Sequence, residues 1–95
     1  MLTEFEWDEN KAKSNRRKHG ICFENAVLVF DDPNHLSRLE RYEKGEHRWQ
    51  SIGLVNGVII ILVVHTLRYE SGDEIIRIIS ARRADRKERS RYEHC

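Results

Sequence analysis

The chain has 95 residues, 39% of them hydrophobic, and a formal net charge of +1 at pH 7, which supports one domain around one core. The longest apolar run, Val58 to Val64, is far shorter than a membrane span, and the polar first twenty residues do not resemble a secretory signal. We therefore expect a soluble cytoplasmic protein, in which the unpaired spacing of Cys22 and Cys95 favours reduced thiols over a disulfide framework.

The chain begins with a predicted strand, residues 2–7, followed by a predicted helix with clear ends. Asp8 is a suitable N-cap for "ENKAKSNRRKH", and Gly20 stands where a helix C-terminus favours positive φ. Ala12 is the only apolar residue in this helix. Either the helix is marginal, or its polar face is used by something else.

A second helix is predicted from an apolar stripe with helical spacing, formed by Phe23, Ala26, Val27 and Phe30. Asp31-Asp32-Pro33 should end it, because proline disfavours helix at the preceding residue and cannot continue the hydrogen-bond ladder. Cys22 stands at the expected N-cap, where its thiol is a poor acceptor.

From Leu36 onward the pattern changes to strands separated by turns, with Asn56-Gly57 as the strongest hairpin signal. The predicted strands are 36–43, 47–55, 58–67 and 75–81, and a basic helix follows from Ala84 to His94. The predicted fold class is α+β, with an N-terminal strand, two helices, a mostly antiparallel β meander and a short basic C-terminal helix. Residues 1–95 then form a single domain.

The charge is distributed unevenly, although its sum argues against a generic nucleic-acid binder. Residues 77–92 carry net +5, residues 8–19 carry net +3, and the rest of the chain carries net −7. If the fold brought the two segments together, they would form one positive face that attracts phosphates. Alternatively, they are solvated helix faces.

Three arginines lie on or just after the last predicted strand. Strict alternation places Arg77 on one side with Ile75 and Ile79, and it directs Arg82 and Arg83 to different sides. Arginine suits planar, bidentate recognition of phosphate. The alternative for Arg77 is a structural ion pair with an acid such as Glu6 or Glu24.

Other polar residues are candidates for proton transfer or phosphate contact. Glu88 and Tyr92 share a face of the terminal helix, which either faces the arginines or forms a capped, salt-bridged helix end. In "HTLR", His65 is either a proton carrier or a structural residue at a strand end, and Arg68 follows it. Lys11, Asn15 and Lys18, followed by His19, form a stripe that contacts phosphate or solvent.

These residue types favour a reaction that needs charge stabilisation more than a dedicated nucleophile. The sequence has no serine elbow, no glycine-rich phosphate loop and no metal-ligand spacing, so we predict no catalytic metal and no cofactor. RNA cleavage fits, because the substrate's own 2′-hydroxyl can attack while the protein stabilises the phosphate and moves protons.

Three blocks of the sequence resemble the BrnT-type toxins, the ribonucleases of bacterial type II toxin–antitoxin pairs. The blocks are "FEWDENKAKSNRRKHGICFENAVLVFDDP" at 5–33, "HTLR" at 65–68 and "RIISARRADRKERSRY" at 77–92. The resemblance implies a fold related to the RelE/ParE toxins, metal-independent RNA cleavage that halts translation, and neutralisation by a BrnA-type ribbon-helix-helix antitoxin. It also implies that operator DNA is contacted mainly through the antitoxin complex, and no membrane is involved.

The family pattern can be placed on this chain residue by residue. It falls on Lys18, His19, Gly20, His65, Arg68, Arg77, Ser80, Ala81, Arg82, Ala84, Glu88 and Tyr92. We predict that Arg77, Arg82 and Arg83 bind and stabilise the scissile phosphate, and that His65 or Glu88 moves protons. The predicted RNA-binding residues are Lys11, Lys18, His19, Arg68 and Tyr92. The alternatives are a non-catalytic RNA- or ribosome-binding module and a module that binds only protein.

Overall fold

The computed structural model describes residues 2–94, so Cys95 lies outside the described part of the chain. The elements, in chain order, are β1 (Thr3–Glu6), α1 (Glu9–His19), α2 (Phe23–Ala26), a 3₁₀ helix (Val27–Asp31), β2 (Leu36–Glu43), β3 (Glu46–Val55), β4 (Ile59–Glu70), β5 (Asp73–Arg83) and α3 (Arg86–Glu93). This order confirms the predicted α+β fold class. Within residues 2–94, no helix has the length and apolar character needed to cross a membrane.

The strands form one mixed sheet in the order β1-β5-β4-β3-β2. The four strands from β2 to β5 are joined as an antiparallel meander, whereas β1 pairs in parallel with β5. The central strand is β4, in agreement with its continuous apolar run. The predicted meander is therefore confirmed, and the N-terminal strand extends it at the β5 edge.

One face of the sheet, here called the helix-covered face, carries the larger apolar core. Ile61 and Val63 of β4 lie there and pack with Phe23 of α2 and Val29 of the 3₁₀ helix, all buried. The close contact needs a glycine at residue 53, because a Cβ added there would lie 2.9 Å from Val29 Cγ1. The second helix is shorter than predicted, because the chain tightens into the 3₁₀ helix after Ala26.

The opposite side, here called the open face, is covered only at one end. Leu62 lies there, since its neighbours Ile61 and Val63 belong to the other face. Ala84 and Tyr92 pack with Leu62 in a small second cluster, which confirms them as the contacts of the terminal helix. α3 spans only that end, and the rest of the open face carries mainly polar side chains together with the buried Ile75.

Helix α1 is held to β5 by a buried amide rather than by apolar packing. The Asn15 Nδ2 donates to the carbonyls of Ala81 (2.8 Å) and Ile21 (3.0 Å), and its Oδ1 accepts from the Ala81 N–H (3.1 Å). β1 ends its pairing with β5 at Glu6 and Arg77, so this amide satisfies the strand edge beyond it. A polar side chain of α1 thus completes the hydrogen bonding of the sheet edge. Asp8 and Gly20 cap the helix as predicted.

Strands β4 and β5 are longer than predicted, because their hairpin continues through polar residues to the Ser71-Gly72 turn. Pairing extends to Glu70 and Asp73. The prediction that His65 lies at a strand end was therefore wrong, since six residues of β4 precede it and five follow it.

A β-bulge interrupts the ladder between β4 and β5. Val64 pairs with Ser80 and His65 pairs with Ile78, so Ile79 is an extra residue without a partner. The bulge shifts the alternation of side chains along β5 by one position. The strict alternation assumed from the sequence for Arg77 and Ile79 therefore fails beyond Ile78.

The shift places Arg77 and Arg82 on the same face of the sheet. Their partners across the ladder are Thr66 and Leu62, which are four residues apart on β4 and therefore share the open face. Without the bulge, Arg77 would share a face with Arg83 instead. The bulge at Ile79 thus decides which arginines lie on the same face of the sheet and can contact one ligand.

Candidate active site on the open face

A polar row crosses all five strands on the open face. Cross-strand pairing aligns, from one edge of the sheet to the other, Arg41, Arg48, Thr66, Arg77 and Glu6. Arg68 lies in the next row on β4, and Arg82 lies two rows away on β5, beside α3. Besides Arg41 on the edge strand, four arginines therefore surround the centre of the open face: Arg48, Arg68, Arg77 and Arg82.

Glu6 holds two of these arginines. Its carboxylate accepts two hydrogen bonds from Arg68 (3.0 and 3.1 Å) and one from Arg77 (3.0 Å). The bonds from Arg68 and then Arg77 lower the pKa of Glu6, so the acid is ionised at neutral pH. The structural ion pair anticipated for Arg77 is thus confirmed, with Glu6 as the partner. The Arg77 side chain stays 41% exposed and accessible from solvent.

Thr66 lies at the centre of the row, between Arg48 and Arg77 on the neighbouring strands. Its Oγ1 is buried and has no hydrogen-bond partner among residues 2–94. A buried hydroxyl without a partner is unusual and points to a ligand or water that completes it. In this position the hydroxyl lies between the flanking arginines, and it can donate to an anion only if the side chains that cover it move aside.

Arg82 and Glu88 form a two-bonded ion pair at the start of α3. The guanidinium donates to both carboxylate oxygens at 2.8 Å. Glu88 also accepts from the backbone N–H of Asp85 in a capping box, and the residue is buried. The Arg82 bonds are the main cause of a lowered Glu88 pKa. Both interpretations of this helix end are confirmed, because it is capped and salt-bridged and its Glu88 faces one of the predicted arginines, Arg82.

Asp32 hydrogen-bonds both to the end of β3 and to α3, which lies on the open face. Its Oδ2 accepts from the Leu54 N–H (2.8 Å) and from the Tyr92 hydroxyl. Since Tyr92 belongs to α3 and Asp32 follows the 3₁₀ helix, this pair fixes the C-terminal end of α3. The sequence assigns Asp32 only to the end of the second helix, although aspartate side chains often hydrogen-bond to nearby backbone where a chain turns.

His65 does not lie with the arginines. Its ring is buried on the helix-covered face, edge-on to Phe30 with centroids 5.0 Å apart. The Nδ1 lies 3.2 Å from the carbonyl of Thr66, which can only accept, so Nδ1 carries the proton and Nε2 accepts from the Ser51 hydroxyl at 2.7 Å. Burial lowers the pKa of His65 to about 4, so the ring is neutral at pH 7.

We expect this buried histidine to make folding stability fall as the pH is lowered. The folded-state pKa of about 4 lies below the ordinary value of 6.5, so the unfolded chain binds a proton that the folded chain refuses. Above pH 6.5 the neutral ring costs the folded state nothing relative to the unfolded chain. Between pH 6.5 and 4 the free energy of unfolding falls by up to about 3 kcal/mol. Urea unfolding of the wild type at several pH values measures it.

The matched variant is His65→Gln, whose amide keeps an acceptor for Ser51 without a titratable ring. Its stability should change less than that of the wild type between pH 6.5 and 5. All other histidines are common to both proteins. Equal pH dependence in the two proteins would contradict the assignment.

The remaining predicted residues are separated from the arginine row. Arg83 is exposed and, by alternation, lies on the side opposite Arg82. Lys11, Lys18 and His19 are exposed on α1, which packs on the helix-covered side of β5. The two basic segments therefore do not form one face, because α1 and α3 lie on opposite sides of the sheet.

Three polar residues of the site were not identified from the sequence. Arg48 has a signal, because period-two alternation in β3 places it on the same side as Gln50 and the buried Ile52. Thr66 has no such signal in the sequence, because its position between two arginines depends on the pairing of β4 with β3 and β5. Asp32 was assigned only to the end of the second helix.

The described residues contain no group of three or more His, Cys, Asp or Glu side chains arranged to hold a metal ion. The polar groups of the open face are mainly arginines and carboxylates in pairs. This arrangement can bind a phosphate group if an arginine exchanges its carboxylate for the phosphate. Two of its carboxylates contact such arginines, Glu6 beside Arg68 and Arg77, and Glu88 beside Arg82.

Comparison with known proteins gives a family match and a structural match that name an activity. A family model described as the ribonuclease toxin BrnT of a type II toxin–antitoxin system matches residues 7–88. The crystal structure of the Brucella abortus ribonuclease toxin BrnT is 25% identical and has a TM-score of 0.59, covering 90% of this chain and 100% of that chain. Among curated protein sequences, none matches.

Proposed function

This chain belongs to the BrnT family of ribonuclease toxins from type II toxin–antitoxin systems, and on that premise we propose that it cleaves RNA on the open face of its sheet. The observation that supports this location is the bulge in β5, which gives Arg77 and Arg82 the same side. Glu88 contacts Arg82 there, so a cation and a proton acceptor are adjacent. On the opposite face, the predicted proton carrier His65 is buried and has no arginine beside it among its hydrogen-bond partners, Ser51 and Thr66.

In the proposed reaction, the RNA 2′-hydroxyl attacks the adjacent phosphorus and the bond to the 5′ oxygen breaks. Glu88 accepts the proton of the 2′-hydroxyl, and the leaving 5′ oxygen takes a proton from solvent. Arg77 and Arg82 stabilise the charge that develops on the phosphate, with Thr66 as an additional donor. The products are a 2′,3′-cyclic phosphate and a 5′-hydroxyl, and no metal ion is required.

The ion pair at α3 links substrate binding to the basicity of Glu88. In the free protein both Glu88 oxygens accept from Arg82, and this lowers the pKa of the acid. A phosphate that takes Arg82 away removes the main cause of that lowering. The pKa of Glu88 then rises toward its ordinary value, which makes the carboxylate a better base when substrate is present.

The same surface is where we place the inhibitor. We assign the cellular effect to inhibition of translation and its reversal to a BrnA-type ribbon-helix-helix antitoxin, whose acidic or apolar segments would cover the open face. Operator DNA would be contacted through the antitoxin. Lys11, Lys18, His19 and Arg83 take no part in the cleavage step proposed here, since they lie away from the open face.

The test is incubation of the purified, antitoxin-free protein with a defined RNA in EDTA. We expect cleavage that persists in the chelator, with 2′,3′-cyclic phosphate ends identified by mass spectrometry of the products. An RNA with 2′-O-methyl riboses should stay intact, because its 2′ oxygen cannot attack. RNA binding without any cleavage would favour the non-catalytic module, and a tight complex with the antitoxin without RNA affinity would favour the protein-binding module.

A further inference from the structure

A groove lies on the open face where α3 meets β2 and β3, and we call it the α3 groove. Its volume is about 230 Å³, and it is lined by Leu36, Ser37, Arg38, Gln50, Ile52 and Arg91. None of these residues belongs to the ion pairs of Glu6 or Glu88. The groove is therefore separate from the proposed cleavage centre, although it shares the same side of the sheet.

The lining combines apolar surface with polar groups that lack partners. Leu36 and Ile52 supply apolar side chains. Arg38 and Arg91 form no ion pair with any acid among residues 2–94. The Gln50 amide has no hydrogen bond to another described residue, so its donor and its acceptor are both available.

The register places the α3 groove next to the arginine row. Gln50 pairs with Val64, and Val64 pairs with Ser80, so these residues form the row between Thr66 and Leu62. Two strand spacings, about 10 Å, separate Gln50 from β5, which carries Arg77 and Arg82. A ligand that occupies the cleavage centre and extends across the sheet would enter the groove.

We propose that the α3 groove binds the base of a nucleotide next to the scissile phosphate, an inference that rests on the proposed function. A nucleobase has a planar face that packs on apolar or guanidinium surfaces and an edge that hydrogen-bonds to an amide. The adjoining phosphates supply the negative charge that Arg38 and Arg91 lack. Gln50 is then the residue that discriminates between bases, and the two arginines bind without regard to sequence.

The combination of apolar and polar side chains in the α3 groove favours a nucleotide over an apolar peptide side chain. A purely apolar occupant would exclude water from Gln50 and from both guanidinium groups without offering them hydrogen-bond partners. The loss of hydration would make such binding unfavourable. A nucleotide satisfies the apolar surface, the amide and the cations together. A protein segment is therefore an outcome of the test rather than the expected occupant.

The experiment measures binding of short 2′-O-methyl homopolymers of A, C, G and U by fluorescence anisotropy, since these probes cannot be cleaved. For the wild type we expect about a tenfold range of affinity among the four probes. Gln50→Leu should reduce that range to about twofold. Arg91→Met should weaken all four about equally and reduce the salt dependence, whereas Arg86→Met, at an exposed site on the same helix, should change little.

Three results would overturn the inference. If the wild type binds the probes and Gln50→Leu and Arg91→Met bind them identically, the groove takes no nucleotide, and cleavage in EDTA would still support the proposed function. If the wild type binds no probe and cleaves no RNA, both proposals fail. If the variants keep wild-type RNA binding but lose rescue by the co-expressed antitoxin, the groove is a protein-binding site.

Discussion

Replacement of Arg82 by alanine should lower the rate of RNA cleavage by about 10²- to 10³-fold, the usual effect of losing one donor that stabilises developing charge. The guanidinium is placed on the open face by the bulge in β5 and is 37% exposed in its side chain, so a phosphate can reach it. Growth arrest on induction should be relieved in parallel. Initial rates on a defined RNA and colony counts measure the two effects.

The same substitution also leaves Glu88 buried without its ion-pair partner, which destabilises the fold. Urea unfolding and circular dichroism of Arg82→Ala separate the two effects, because Glu88 is itself the proposed base and has to be kept in the variant. If Arg82 acts in catalysis, Arg82→Ala is folded under the assay conditions and still slow. Recovery of the wild-type rate at a lower temperature, where the variant is fully folded, would mean that it had failed only through loss of structure.

Two neighbouring arginines provide the contrast. Arg83→Ala changes the next residue of the same strand, on the other side of the sheet, and Arg86→Ala changes an exposed site of α3. In the structure-based assignment both keep most of the wild-type rate. If Arg83→Ala lowered the cleavage rate as much as Arg82→Ala, both arginines would contact the phosphate, as the sequence predicted. A folded Arg82→Ala with full toxicity would remove the site from the open face.

Those features of the fold that are encoded by neighbouring residues could be predicted from the sequence. Asp8 and Gly20 define the ends of α1 through capping and positive φ, and both signals act within a few residues. The same holds for Asn56-Gly57, whose residues both have positive φ in the turn between β3 and β4. Because these interactions are local, the residue types alone predict them.

The arrangement of the site could not be predicted in the same way, because it depends on one extra residue. Period-two reasoning assigns faces correctly only until the ladder is interrupted, and a slip of one position moves every later side chain to the other face. Ile79 is that extra residue, and nothing in "RIISARR" distinguishes it from Ile78. The selection of Arg82 rather than Arg83 as the partner of Arg77 therefore needs the structure.

His65 was misplaced for a related reason. The polar residues that follow it resemble the end of a strand, yet they continue the β4–β5 hairpin to Glu70. The ring then lies within the sheet and packs against Phe30, whose position depends on a separate element. The Arg77–Glu6 pair shows the opposite case, because an arginine among isoleucines requires an acid and the parallel pairing of β1 supplies it.

Asn15→Ala should destabilise the protein by about 3 kcal/mol, because it removes three hydrogen bonds and leaves the N–H and C=O of Ala81 without partners in a buried setting. In a domain of this size such a loss lowers the melting temperature by at least about 10 °C. The effect is large because α1 contributes only Ala12 to the apolar core, so no other packing holds the helix on β5. Urea unfolding followed by circular dichroism gives the value.

Asn10→Ala makes the same chemical change on an exposed position of α1 and should stay within about 0.5 kcal/mol of the wild type. Asn15→Asp keeps the size of the side chain but directs a carboxylate at two carbonyls, so it should be at least as destabilising as Asn15→Ala. That comparison separates hydrogen bonding from packing volume. If Asn15→Ala cost less than 1 kcal/mol, or if Asn15→Asp were tolerated, the amide would not be what joins this polar helix to the sheet.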